Sequence, residues 1–302
     1  MLSSADFVRI AWENGFVIPA FNVPYPNMIK PVIEAVVEAD SMAFLEIAPI
    51  EWENFEAEGI QEIKEEFDRW TDGKHVRLHL DHIYVIDEAG NPADYRADIR
   101  CGLDVKYDSV MLDGSTLDLE GNIEATREVV GMAHAAGVPC EAELGAVLRE
   151  GGGPMPSYEV LFKSGDGFTD VAAATRFVQE TGCDWLSVSI GNIHGAVTQA
   201  MREQEKVAAR LNLDHLETLK QATGIPLVLH GGSGISKELV LQAITRGIAK
   251  INVGFAIRRA YENELRDTGS VSKAQAATRK ATLQVLCDLY EVSCTYGKYA
   301  NV

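Results

Sequence analysis

Three histidines stand at or just past the ends of separate apolar runs: His82 in VRLHLDH, His194 in SVSIGNIHG and His230 in PLVLHGGSG. The chain has only seven histidines, so this placement carries information. Neutral imidazole is the commonest metal ligand in proteins. Three such ligands from three strand ends, with a fourth position open, make the layout of a catalytic zinc site. Carboxylates end the neighbouring runs. Asp81 precedes His82, Asp113 closes SVMLD, and Glu141 and Glu143 share one face of CEAEL. Asp113 and Glu143 suit either a second or alternative metal position or hydrogen bonds that orient the histidines. Strand alternation alone does not choose between Glu141 and Glu143. His79 shares a face with Asp81 as a supporting partner. His215, at a helix start, reads as structural, and His75 and His134 lack such a context.

Adjacent Asp81 and His82 raise a geometric question. Alternation sends neighbours to opposite faces, so both reach one site only if the chain turns there. HGGSG (230–234) leads into a helix, and its glycines let backbone N–H groups approach an anion, with Ser233 adding a hydroxyl. Asn22, Ser115, Asn192 and Asn252 complete the polar strand ends.

Eight short apolar runs supply these ends: 17–23, 43–49, 76–82, 109–115, 139–145, 185–192, 226–232 and 250–256. Helical patterns separate them, at 122–137, at 214–224 with Asp214 as N-cap, and at 236–247 with Ser236 as N-cap. Alternating strands and helices imply parallel βαβ units. Eight of them predict an α/β protein of the (β/α)8 TIM-barrel type, with active groups at the strand C-termini. No GxGxxG follows the first strand to support a doubly wound sheet. Without linkers, residues 1–302 read as one domain with an additional C-terminal helical segment after residue 268. Residues 146–167, rich in glycine, extend the fifth strand's loop over the active face.

The net charge of -18 argues against nucleic acid and anionic membranes as partners. Five cysteines without CxxC spacing suit a reducing compartment. The first residues read as a short amphipathic helix rather than a signal, and no stretch of 18 apolar residues occurs. A cytoplasmic protein is expected.

The ordered pieces AFNV (20–23), LDH (80–82), SVMLDGS (109–115), EAELG (141–145), GNIHG (191–195), LVLHGGSG (227–234) and KINV (250–253) resemble the class II, zinc-dependent ketose-bisphosphate aldolases. GNIEATREVV (121–130) and, loosely, CTYGKY (294–299) extend the likeness. The resemblance implies that His82, His194 and His230 bind zinc, that Asp81 is the acid/base, and that Asp113 and Glu143 belong to a second or alternative metal position. It implies that Asn22, Gly195, Gly231, Ser233 and Asn252 line the substrate, and that the assembly is a homodimer or homotetramer.

The chain departs from that family where phosphate is held. Phe255 stands where the family has threonine, Ala48 where a serine is usual, and Ala196-Val197-Thr198 follows Gly195. REGGGPMP replaces the family's acidic stretch after the fifth strand. Arg149, Lys163, Arg258 and Lys298 are candidate replacement cations. The expectation is an aldolase that cleaves a ketose or ketose phosphate, not fructose 1,6-bisphosphate, into a dihydroxyacetone-type fragment and an aldehyde. The competing readings are a metal-dependent hydrolase on the same barrel and a non-catalytic sugar-phosphate-binding relative.

Overall fold

The computed structural model describes residues 1–87, 90–145, 158–192, 210–232 and 234–300. All eight apolar runs form strands: β1 Ile18–Asn22, β2 Ala43–Ile47, β3 Val76–Tyr84, β4 Ser109–Asp113, β5 Cys140–Leu144, β6 Trp185–Val188, β7 Leu227–Leu229 and β8 Ile248–Val253. They pair in parallel in chain order, and β8 closes on β1 with Ile18 opposite Lys250 and Ala20 opposite Asn252. The helices that bear on the site and its supports are α1 Ser4–Asn14, α2 Ile29–Glu38, α3 Pro49–Asn54, α4 Ile60–Trp70, α5 Tyr95–Asp104, α6 Leu119–Ala135, α7 Tyr158–Ser164, α8 Val171–Thr181, α9 Leu213–Thr223, α10 Lys237–Thr245, α11 Phe255–Thr268, α12 Val271–Leu283 and α13 Thr295–Tyr299. The architecture is the expected (β/α)8 barrel.

The barrel interior is layered. At the strand N-termini Ile18, Ala20, Phe44, Trp185 and Val228 pack against Phe7, Val8 and Ala11 of α1. That helix therefore plugs the floor. Ser3 caps its start through the Asp6 N–H, and Gly15 ends it in the left-handed region at φ 68°. Arg77 ties β3 to this plug, donating from Nε to the Leu2 carbonyl at 3.0 Å and lying 5.0 Å over the Phe7 ring. Above the floor comes a charged layer of Glu46, His79, Glu141 and Lys250, all fully buried. The strand C-termini carry the third, polar layer. A separate apolar shell, including Val32, Phe67, Ile99, Val129 and Phe177, packs the helices onto the outside of the sheet.

Local capping corrects one boundary. Asn212, not Asp214, caps α9, accepting the His215 N–H at 3.0 Å; Asp214 lies in the first turn, where its charge still suits the helix dipole. Ser236 caps α10 as expected. The C-terminal segment packs on the barrel's side, α12 lying against α11 and α2. It then returns to the floor, where Tyr299 stacks on Phe16 at 5.1 Å and Tyr296 meets His75. Lys298 consequently sits at the end opposite the strand C-termini and does not replace a cation there. Among the described residues no helix is long and apolar enough to cross a membrane.

Candidate active site

The question posed by Asp81 and His82 is answered by a bulge in β3. His82 adopts φ 42°, and the pairing with β4 slips between Leu80 and Ile83 before resuming at Ile83–Leu112 and Tyr84–Asp113. A bulge re-aims side chains, so both neighbours face the site. A non-glycine residue in the left-handed region costs on the order of 1 kcal/mol, strain of the kind that gathers at functional sites.

Asp81 is fully buried and held by amides. Asn22 donates from Nδ2 to its Oδ2 at 3.1 Å, and Asn252 donates from Nδ2 to both of its oxygens at 3.1 Å. Burial alone would raise this carboxyl, but His82, Lys250 and His230 outweigh it and bring it down to about 2. Asp81 is therefore ionised at neutral pH. His79 lies below, 3.8 Å from Asp81 Oδ1 and with Nδ1 on Ser109 Oγ at 2.8 Å. Burial, helped by Lys250, lowers it to about 3 and keeps it neutral.

His230 is braced on both sides. Its Nε2 meets Glu141 Oε1 at 2.9 Å and its Nδ1 meets Glu143 Oε2 at 3.0 Å, with Ser187 Oγ at 3.1 Å. Burial would lower its pKa, but the two carboxylates raise it to about 10. The two glutamates thus divide the ring, Glu141 from the charged layer and Glu143 from the rim. Only Glu143 also approaches His82, at 3.8 Å from Nδ1, beside Asp113 Oδ2 at 3.5 Å. Ser115 pins the other Asp113 oxygen through its N–H at 3.0 Å and its hydroxyl at 2.5 Å. The His82 and His230 rings stand 4.4 Å apart.

These contacts bring metal-type donors together. Asp81, His82 and His230 each offer an atom within 4.8 Å of the others, and so do His82, Asp113 and Glu143. Two imidazoles among carboxylates form a donor set that fits a divalent ion of the zinc type. Asn192 supports this rim from the segment after β6, donating from Nδ2 to the His230 carbonyl at 2.9 Å. Gly231, at φ 69°, takes a backbone conformation that favours glycine. His194, Gly195, Thr198, Ser233 and Arg149 lie outside the described residues. His215 is structural as expected, its Nε2 reaching the Thr169 carbonyl at 2.8 Å.

Sequence reasoning missed Lys250 and Glu51. Lys250 shares Asn252's face by simple alternation, which could have placed it inside the barrel. Glu51 lies in α3, just after Ala48, with no strand pattern to mark it. Its carboxyl accepts the Ala48 N–H at 2.7 Å, and it is buried. Burial, with a smaller push from Asp81, raises it from 4.5 to about 8. The folded state then binds this proton more tightly than the unfolded chain. The contribution is fully present below about pH 4.5 and is lost as pH rises to about 8, at up to about 1.4 kcal/mol per pH unit. Glu51→Gln, whose carbonyl can keep the cap, should flatten that decline. Urea unfolding at pH 5 and pH 8 should show the variant gaining on the wild type at the higher pH; parallel stabilities would refute the assignment.

The barrel and its cluster of imidazoles and carboxylates at the strand C-termini define an enzyme of the metal-dependent barrel class. The model of the class-II fructose-bisphosphate aldolases matches residues 3–296, and the chain belongs to that family. A fructose-bisphosphate aldolase from Streptococcus pyogenes serotype M1 is 31% identical over 270 residues, covering 88% of this chain and 83% of the relative. The crystal structure of the YdjI aldolase from Escherichia coli K12 superimposes with a TM-score of 0.77 at 27% identity, covering 97% of this chain and 98% of that one. A fructose-bisphosphate aldolase from Campylobacter jejuni, at 18% identity, shares the fold with a TM-score of 0.74 over 96% of each chain. Membership makes this protein an aldolase, a carbon–carbon lyase of a zinc-dependent family.

Proposed function

We propose that this protein is a zinc-dependent aldolase that reversibly cleaves a ketose or ketose phosphate other than fructose 1,6-bisphosphate. The products are a dihydroxyacetone-type fragment, which is dihydroxyacetone phosphate where the ketose carries a phosphate at that end, and an aldehyde. The observation that carries the reading is the placement of Asp81, held by Asn22 and Asn252 beside His82 and His230. His82, His194 and His230 would hold the ion, with Asp113 and Glu143 at a second or alternative position. An ion held there would supply Lewis-acid polarisation of the ketone and stabilise the negative charge left by bond cleavage. Asp81 takes the proton from the hydroxyl on the carbon that becomes the aldehyde. The O–H electron pair forms the new C=O, and the electrons of the broken C–C bond stay with the ketone fragment. In condensation Asp81 returns the proton. Gly195, Gly231 and Ser233 would line the ketone side.

The substrate preference rests on what surrounds the site. Phe255 begins α11 with its side chain partly exposed, and Ala48 offers no hydroxyl. A cleft of about 250 Å³ abuts the ends of β4 and β5, lined by Leu117, Leu144 and Phe168, with Asp170 and no cation among its described residues. The larger groove, about 760 Å³ between α2, α4 and α12, is on the barrel's outside and remote from this chemistry. Arg258 is the described candidate cation on the helix that follows β8, over the Phe55 ring at 5.1 Å. These features favour an aldehyde fragment without phosphate. A kinetic panel tests this: monophosphorylated or non-phosphorylated ketoses should exceed fructose 1,6-bisphosphate by at least about tenfold in kcat/KM, or 1.4 kcal/mol. The reverse order overturns it. Assembly as a homodimer or homotetramer, and a cytoplasmic setting that suits the free cysteines, complete the reading.

A further inference from the structure

Asp81 is oriented by Asn252, and Asn252 is itself oriented from below. Lys250 donates from Nζ to Asn252 Oδ1 at 2.7 Å. An ammonium offers only donors and a carboxylate only acceptors. Turning the Asn252 amide over would set N–H against N–H at Lys250 and oxygen against oxygen at Asp81. The amide therefore has one stable orientation, with its NH2 group on Asp81. The lysine is fixed in turn. It is fully buried, and its Nζ lies 3.0 Å from Glu141 Oε2, 3.2 Å from Glu46 Oε2 and 3.9 Å from Asp81 Oδ1. It faces the barrel interior with Asn252 by strand alternation, and a register slip against β7, from Ile248 opposite Leu227 to Lys250 opposite Val228, lies just before it. Glu46, His79 and Asp81 would otherwise be a grouping able to take a metal ion. The ammonium lies within 4 Å of both carboxylates of that group and serves as a permanent cation there.

We propose that Lys250 is a positioning residue for carbon–carbon cleavage: it locks the Asn252 amide, and that amide holds the Asp81 carboxylate where it can take the hydroxyl proton. The inference rests on Asp81 being the acid/base. It changes the part assigned to Asn252, which acts on Asp81 and not only on the ketone. A lysine with a purely structural part would matter for stability and leave the chemical step alone.

The test uses Lys250→Met, which keeps length and removes the donor, and Asn252→Ala, which removes the next link. Cleavage is followed with the ketose of the panel that the wild type turns over fastest. In parallel, exchange of carbon-bound hydrogen is followed in D2O with dihydroxyacetone phosphate or dihydroxyacetone, a reaction that needs the ketone site but not the hydroxyl proton. Each variant should lose about 10²-fold in kcat for cleavage, the cost of a misplaced group. For Lys250→Met, KM should stay within about twofold and exchange should persist, whereas Asn252→Ala is read on kcat for cleavage alone. For Lys250→Met, an unchanged kcat, a rise in KM alone, or parallel loss of cleavage and exchange overturns the proposal. If Lys250→Met does not fold, Lys250→Gln, whose amide no longer fixes which end of Asn252 faces it, decides by the same criteria. Asp81→Asn separates the two levels: if it still cleaves, the acid/base reading fails; if it is inactive while Lys250→Met is unimpaired, only the positioning role fails.

Discussion

Asp81→Asn is expected to lower kcat for ketose cleavage by about 10³-fold, within the range that a positioned acid/base contributes. Asparagine matches the carboxylate in shape but cannot take a proton at neutral pH. The wild-type group is placed for that task, its carboxylate accepting the Asn22 and Asn252 amides beside His82. Asn22 and Asn252 can still donate to the remaining carbonyl, so the fold and the bound metal should survive. Steady-state kinetics on protein of measured zinc content checks this. A variant within tenfold of wild type would remove Asp81 from the proton transfer.

Chelation is expected to abolish cleavage and leave the barrel intact. Activity should fall by at least about 10³-fold, since the ion supplies several kcal/mol of charge stabilisation. The protein should stay folded because the metal-free cluster is internally paired. Glu141 and Glu143 brace His230 at 2.9 and 3.0 Å, and Asp113 and Glu143 flank His82. Returned zinc should restore activity and raise the unfolding temperature, by about 2.7 kcal/mol of stability at 100 times the dissociation constant. Circular dichroism, thermal melts and activity on the same samples test both halves. Cleavage that survives full metal removal would contradict them.

The barrel was legible because its strands are fully buried on both faces and read as short apolar runs with polar ends. His82, His230, Asp81, Asp113 and Glu143 were legible for the same reason, since a charged group at the end of such a run needs a purpose. The bulge at His82 was not, because register slip depends on the partner strand β4 and not on β3 alone. Lys250 and Glu46 were hidden inside β8 and β2, where charge is expected to be excluded. They become intelligible only when the closed barrel sets them 3.2 Å apart. Glu141 stayed ambiguous with Glu143 because they share a face, and three dimensions give each a different nitrogen of His230. Asp214 does not cap α9, because Asn212, two residues earlier, takes the same helix end.

The most direct test of metal-dependent carbon–carbon cleavage is NMR of a carbon-13-labelled ketose from the panel, incubated with metal-free protein before and after zinc is added, with borohydride reduction of each sample. Aldehyde and ketone fragments should appear only after zinc, and reduction should attach nothing to the chain. Equal cleavage without zinc, with the ketone fragment reduced onto a lysine such as Lys250, would contradict the account.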